Sequence, residues 1–241
     1  AYSHYIFDRL RGFDDSHLIP NLSDAEGPSG DTTALGGVTS SGFFMSSASG
    51  ISDSYQAPNN YVAWCWKAGG AAVTNNDGNT TSQVSVNRKA GFSIVTYAGS
   101  GQPRTIGHGL GKKPAWVMTK SRDDTDDWMV WHKDLSSNSH QLHLNTNDDE
   151  DTTKNAWGSN PVFDANVFRV GVTDETNKNS TGNSHVFYAF RSIPGVCKVG
   201  SYVGNNDADG FFVLFASFEW SLVVPGGFPL QKKRMVRETK N

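Results

Sequence analysis

The sequence predicts an all-β fold made of two related β-sandwich-like modules, and three features carry that expectation. Helical periodicity is nearly absent, and short alternating or aromatic-rich runs recur between clusters of Gly, Asn, Asp and Ser. Over 241 residues the chain is only 37% hydrophobic and 19% charged and contains 25 glycines, a turn-rich β composition. The run Asn60-Tyr61-Val62-Ala63-Trp64-Cys65-Trp66-Lys67 returns in altered residues as Ser184-His185-Val186-Phe187-Tyr188-Ala189-Phe190-Arg191, 124 positions later. The same offset carries Tyr5-Ile6-Phe7 onto Met129-Val130-Trp131 and Phe43-Phe44 onto Val167-Phe168. A duplicated unit of this size favours a scaffold or binding protein over a single-pocket enzyme, because repetition extends a surface without a new fold.

The repeat divides the chain into a first module at 1–114, a second at 115–225 and a tail at 226–241. In order, strands are expected near residues 5–9, 42–46, 61–67, 92–97, 116–120, 128–133, 141–144, 167–172, 184–191, 198–203, 211–215 and 220–224. Residues 19–40 read as a loop. Asp77-Gly78 and Asp209-Gly210 are short-turn signals, and Asp123-Asp124-Thr125-Asp126-Asp127 joins two apolar runs into a hairpin.

Alternation in residues 61–67 places Val62, Trp64 and Trp66 on one face, and the second copy repeats the division with Val186, Tyr188 and Phe190. Large apolar groups on one face at both copies predict that Trp64, Trp66, Tyr188 and Phe190 are core. The opposite face, mixed and ending in Lys67 or Arg191, is expected to meet a smaller or wetter layer. The copies are unequal. Tyr97 and Tyr202 are 105 apart and Trp116 and Trp220 are 104 apart, so the first copy carries a polar insertion near 71–90. It also lacks a strand at its start. Trp220, Leu222 and Val224 are expected to supply that strand, closing onto the first module or onto a neighbouring subunit.

Charge narrows the function classes. The formal net charge is −3, which leaves no excess positive field for phosphates, so nucleic acid is not an expected partner. Lys232-Lys233-Arg234 with Arg237 reads as a solvated tail. No secretory signal or apolar run of membrane-spanning length is visible, so membrane insertion is not expected. Cys65 and Cys197 do not correspond under the repeat and read as buried thiols rather than a disulfide.

The motifs that could carry chemistry favour structural roles. Ile106-Gly107-His108-Gly109-Leu110-Gly111-Lys112-Lys113-Pro114 lacks the spacing of a phosphate loop and leads into a strand, so His108 reads as a packing or capping side chain. Asp-rich stretches around Asp77, Asp149 and Asp207 raise calcium, but none has the spacing of a helix–loop–helix calcium site. His140 and His143, three apart in a strand, fall on opposite faces and disfavour a shared metal. No Gly-x-Ser-x-Gly occurs and no acidic pair stands out in an aromatic cleft. No cofactor, metal or catalytic residue is expected. Most of the seven Trp fall at strand positions; Tyr55, Tyr61 and Trp157 lie in or beside polar loops and are the expected ligand-contacting aromatics.

The run Tyr61-Val62-Ala63-Trp64-Cys65-Trp66-Lys67-Ala68-Gly69-Gly70, with Ala90-Gly91-Phe92-Ser93-Ile94-Val95-Thr96-Tyr97 and Ile106-Gly107-His108-Gly109-Leu110-Gly111, resembles a repeated domain of uncharacterised function. That domain occurs in virion structural proteins of tailed bacteriophages, often marine ones, and the resemblance spans residues 1–213. It implies a non-enzymatic virion component, either a tail fibre or spike or a capsid appendage. The expected partners are other virion subunits, copies of the chain itself in a homo-oligomer, and host-surface polysaccharide. The expected location is the virion, assembled in the host cytoplasm. Two alternatives stay open, a tail-spike glycan depolymerase and a secreted lectin-like adhesin.

Overall fold

A computed structural model describes residues 3–13, 16–27, 35–45, 60–177 and 183–204. Its secondary structure is nearly all β. The strands are β1 (Leu35–Val38), β2 (Phe43–Met45), β3 (Val73–Asn75), β4 (Ser82–Asn87), β5 (Phe92–Ala98) and β6 (Arg104–Gly107). After them come β7 (Trp116–Ser121), β8 (Met129–His132), β9 (Leu142–His143), β10 (Val167–Val170) and β11 (Ser184–Phe190). Among the described residues one helical turn, α1 (Asp174–Asn177), precedes β11.

Seven strands form one antiparallel sheet in the order β3-β4-β5-β11-β7-β8-β9. The last of the described strands, β11, is therefore central, paired with β5 from Ser184↔Ala98 to Phe190↔Phe92 and with β7 from His185↔Ser121 to Phe190↔Trp116. The boundary expected at 114/115 thus runs through the middle of one sheet. The described strands do not divide there into two sandwiches, because β11 satisfies its backbone groups on one side from each half of the chain. The region expected to be a polar insertion, 71–90, also differs: it contains β3 and β4, which extend the sheet from β5. Val84 is buried inside this stretch, which explains why its Asn and Thr content did not exclude a strand.

Both faces of the central sheet are covered. One face carries Val95, Tyr97, Val117, Met129, Trp131, Phe187 and Ala189 under Ile106, Leu110, Trp157, Phe163, Phe168 and Val170. The cover is the antiparallel ribbon of β6 and β10 with the loops around it. Phe168 stacks on Phe187 with ring centroids 3.5 Å apart, and Trp131 stacks on Phe163 at 3.9 Å. The other face presents Phe92, Ile94, Trp116, Met118, Trp128, Val130, Val186, Tyr188 and Phe190 to Leu18, with Ile6, Leu10, Ala68 and Val199 at its margins. The expectation of a wetter layer opposite Val186, Tyr188 and Phe190 is corrected, since Phe187 and Ala189 on that side are fully buried. A strand clad on both faces reads as a near-continuous apolar run, as β5, β7 and β11 do.

The N-terminal segment acts as a lining across the second face rather than as an edge strand. Ile6 and Leu18 exchange backbone hydrogen bonds, and the Trp128 indole donates to the Ile19 carbonyl at 3.1 Å. The expected strand at 5–9 reduces to two isolated bridges, Ile6↔Leu18 and Asp8↔Gly12, and residues 198–203 form no strand. The hairpin expected across the Asp-rich loop is present: Trp116 to Thr119 pair with His132 to Met129.

Candidate functional site

The residues expected to matter scatter in an instructive way. Tyr188 and Phe190 are buried in the sheet, but Trp64 and Trp66, expected as their core equivalents, are 66% and 49% exposed and lie outside every strand. Tyr61 at 61% and Val62 at 72% continue the same exposed surface. Cys65, expected to be buried, is exposed within it, and Cys197 is partly buried; both are free thiols. Trp157, expected as a ligand contact, is instead fully buried between Phe163 and the sheet, its ring edge-on to Phe163 at 5.4 Å. Tyr55, Trp220, Leu222 and Val224 lie outside the described residues.

Residues 61–66 make no backbone hydrogen bond among the described residues, and side chains on both sides of the run are open to solvent. Among the described residues the run is anchored only at its C-terminal end. There Trp66 meets Phe190 edge-on at 6.2 Å, Asn87 Nδ2 donates to the Lys67 carbonyl at 3.1 Å, and Ala68 packs against the sheet. Gly69 passes so near Val86 that an added Cβ would lie 2.1 Å from its carbonyl oxygen, which excludes any side chain at that crossing. This ribbon is the main exposed apolar feature of the described residues outside the β1–β2 hairpin, where Val38, Phe43 and Phe44 are also exposed.

His108, His185, Lys120 and His140 are held in structural contacts. His108 Nδ1 accepts the Leu110 backbone N–H at 3.1 Å, the expected capping role, and burial pushes the imidazole down to about 4. His185 stacks on Tyr97 with centroids 5.3 Å apart, and burial lowers it to about 4 as well. Lys120 is fully buried and donates to the Ser121 and Asp124 carbonyls at 2.7 and 2.8 Å; burial lowers it to about 8 against the pull of Asp126 and Asp124. Ser136, His140 and Glu150 come together, but the hydroxyl and the carboxylate both approach His140 Nδ1, at 2.8 and 2.7 Å. A proton relay needs its two partners at opposite ring nitrogens, so this is a loop staple rather than a triad.

The Asp-rich stretches behave as turns. Asp151 Oδ1 accepts the backbone N–H groups of Thr153 and Lys154. Asp77 N–H donates to Asn75 Oδ1, and the Asp209 region lies outside the described residues. His143 sits between Asp148 and Asp151 at 3.9 and 4.0 Å, beyond hydrogen-bond reach. Among the described residues no group of three or more His, Cys, Asp or Glu is arranged to hold a metal ion. An open cleft of about 580 Å3 between Arg9, Gly12, Phe13 and residues 37–40 has no carboxylate or imidazole among the described residues of its lining.

Residues 1–224 match a family described as a domain of unknown function, DUF7483. The chain belongs to that family. Neither a curated protein nor a solved structure matches it. The DUF7483 match spans both halves of the chain, in keeping with a sheet whose central strand joins them.

One group escaped the sequence reading altogether. Asp8, Arg11 and Tyr188 form a buried cluster: Tyr188 donates to Asp8 Oδ2 at 2.6 Å, and Arg11 Nε pairs with the same carboxylate. Arg11 also donates to the Ile6 carbonyl at 3.0 Å and lies 3.7 Å from Glu26, which pairs with Arg122. Burial would raise the Asp8 carboxyl, but the Arg11 guanidinium and the Tyr188 hydroxyl hold it below its usual value. The spacing of Asp8 and Arg11 was visible in the sequence; Tyr188 and Arg122 carry no local signal of their part in it.

Proposed function

We propose that this DUF7483 chain is a non-enzymatic structural component of a bacteriophage particle, a tail-fibre, spike or capsid-appendage domain that assembles with other subunits. The observation that carries the reading is the ribbon 61–66, where Tyr61, Val62, Trp64 and Trp66 stand in solvent beside backbone that has no partner among the described residues. Contiguous exposed aromatics with unsatisfied strand-forming groups mark protein contact surfaces. The sequence likeness between 60–67 and the central strand β11 supports the same reading: one copy of a core-type strand is spent inside the sheet, and the other is left at the surface. Catalysis is disfavoured because Asp8, His108, Lys120, His140 and Glu150 are engaged in structural contacts.

The test is the location of the chain. Peptides spanning 92–121 are expected in stoichiometric amounts, by quantitative mass spectrometry, in gradient-purified particles from the lysate of cells producing the protein. Presence in the lysate but absence from purified particles, or hydrolysis of cell-surface polysaccharide by the isolated chain, would overturn the reading.

A further inference from the structure

We infer that the ribbon 61–67 pairs with the same ribbon of a second copy of this chain, antiparallel about a two-fold axis at Trp64. The inference deepens the assembly reading above and rests on it.

The pattern of the segment is self-complementary. With Trp64 opposite Trp64, Val62 faces the partner's Trp66, Ala63 faces the partner's Cys65 and Tyr61 faces the partner's Lys67. In extended backbone the Val62, Trp64 and Trp66 positions share one face, so this register builds a continuous aromatic and β-branched layer across the axis. That face is the one that reaches Phe190 through Trp66. The opposite face stacks small on small at Ala63 and Cys65, and sets the Lys67 ammonium against the Tyr61 ring, the one charged group in the run meeting an aromatic surface. A shift by one residue would put large side chains against small ones and separate Lys67 from Tyr61.

Backbone and area point the same way. Residues 61–66 have no backbone partner among the described residues, and a second strand would satisfy these groups on the paired side. Three aromatic rings of roughly 200 Å2 each, half to two-thirds exposed, offer with Val62 about 450 Å2 per copy. Two copies thus carry about 900 Å2 of exposed side chain along the run, of which pairing covers the part between cross-strand neighbours together with the paired backbone edge. The run resembles β11, a strand buried on both faces, in placing Val62, Trp64 and Trp66 where β11 has Val186, Tyr188 and Phe190, so its composition suits burial rather than solvent.

The experiment uses the full 241-residue chain. Sedimentation equilibrium at micromolar concentration is expected to give a dimer, and Trp64→Ser is expected to give a monomer whose urea midpoint equals that of the wild-type chain diluted until it dissociates. In a Cys197→Ser background, Ala63→Cys sets a thiol opposite the partner's Cys65 at a cross-strand Cα separation of about 5 Å, within disulfide range. Mild oxidation should then yield a covalent dimer at least tenfold faster than Cys197→Ser alone, whose Cys65 thiols lie diagonally across the axis. A monomeric wild-type chain overturns the pairing, whether the ribbon is covered by residues 211–215 of its own chain or binds glycan. A dimer that survives Trp64→Ser, or cross-links equally without Ala63→Cys, overturns it too. A monomer found in purified particles would remove this pairing and leave the assembly reading standing. A Trp64-dependent dimer absent from particles would support the pairing and remove that reading.

Discussion

The Tyr188 hydroxyl donates to Asp8 Oδ2 at 2.6 Å, tying the central strand to a residue 180 positions earlier in the chain. Because Arg11 shares that carboxylate and reaches the Ile6 and Ser16 carbonyls, this contact fixes the N-terminal lining onto the sheet. Buried charge of this kind is weak as a source of net stability but costly to break on one side. Asp8→Ala is therefore expected to lose about 3–5 kcal/mol, since it strands the Arg11 guanidinium. Tyr188→Phe removes one hydrogen bond to a charged group and is expected to lose about 1.5–3 kcal/mol. Urea unfolding of both variants and the double variant checks this, with a double-variant loss smaller than the sum.

Acid should weaken the fold well before the carboxylates titrate. His108 and His185 are held at about 4 by burial against an ordinary value of 6.5, so the folded state resists their protonation. Their contribution is complete above pH 6.5 and falls as pH drops toward 4, because the unfolded chain takes up protons that the folded chain refuses. Each accounts for roughly 3 kcal/mol across that window. Asp8 adds a further loss at lower pH, as its carboxyl lies below 3.8 in the folded state. Urea midpoints measured between pH 8 and 4 should fall steadily below 6.5; a flat profile would contradict the burial of both rings.

Lys120 should titrate at an unusual pH without being a nucleophile. Burial lowers its ammonium to about 8 from 10.5, so its contribution to stability improves as pH rises between those values. The Nζ resonance of selectively labelled protein is expected to titrate near 8. The buried amine is expected to resist acylation by a bulky reagent at that pH, since it donates to the Ser121 and Asp124 carbonyls.

Two tryptophans should trade the roles that composition alone assigns them. Trp157→Ala is expected to lose about 3–5 kcal/mol because it opens a cavity beneath Phe163. Trp64→Ala should shift thermal unfolding of the monomer by less than about 0.5 kcal/mol, in line with an exposed side chain.

Gly78 marks a crossing that tolerates no side chain. An added Cβ would lie 2.1 Å from the Thr105 carbonyl oxygen, a backbone atom that cannot rotate away. Gly78→Ala is expected to cost about 2 kcal/mol or more, whereas Gly200→Ala, with nothing within 4 Å, should be neutral in the same assay.

The strands most legible in the sequence are those with dense apolar and aromatic runs: β5, β7, β8 and β11, together with the hairpin across residues 123–127. The less legible ones, β4 and β6, are written in Ser, Gln, Asn, Arg and Thr, and reach their places through neighbours: Ser82 Oγ donates to the Gly107 carbonyl and Asn79 N–H to Thr105 Oγ1. The candidate surface was legible as a pattern and misplaced as a location. Residues 61–67 carry the alternation of a core strand, and nothing local distinguishes a strand paired inside a sheet from one left outside it.

Composition and periodicity by themselves determined that this chain is nearly all β and that it has little helical structure to offer. These are local properties, set by side-chain volume, turn chemistry and alternation. Only the tertiary structure decided that β11 lies between β5 and β7, that Trp157 is enclosed while Trp64 is open, and that Asp8 is buried against Tyr188. The physical reason is that burial belongs to the partner as much as to the residue. A strand segment is core only where other strands and covering loops close over it, and those come from positions far along the chain.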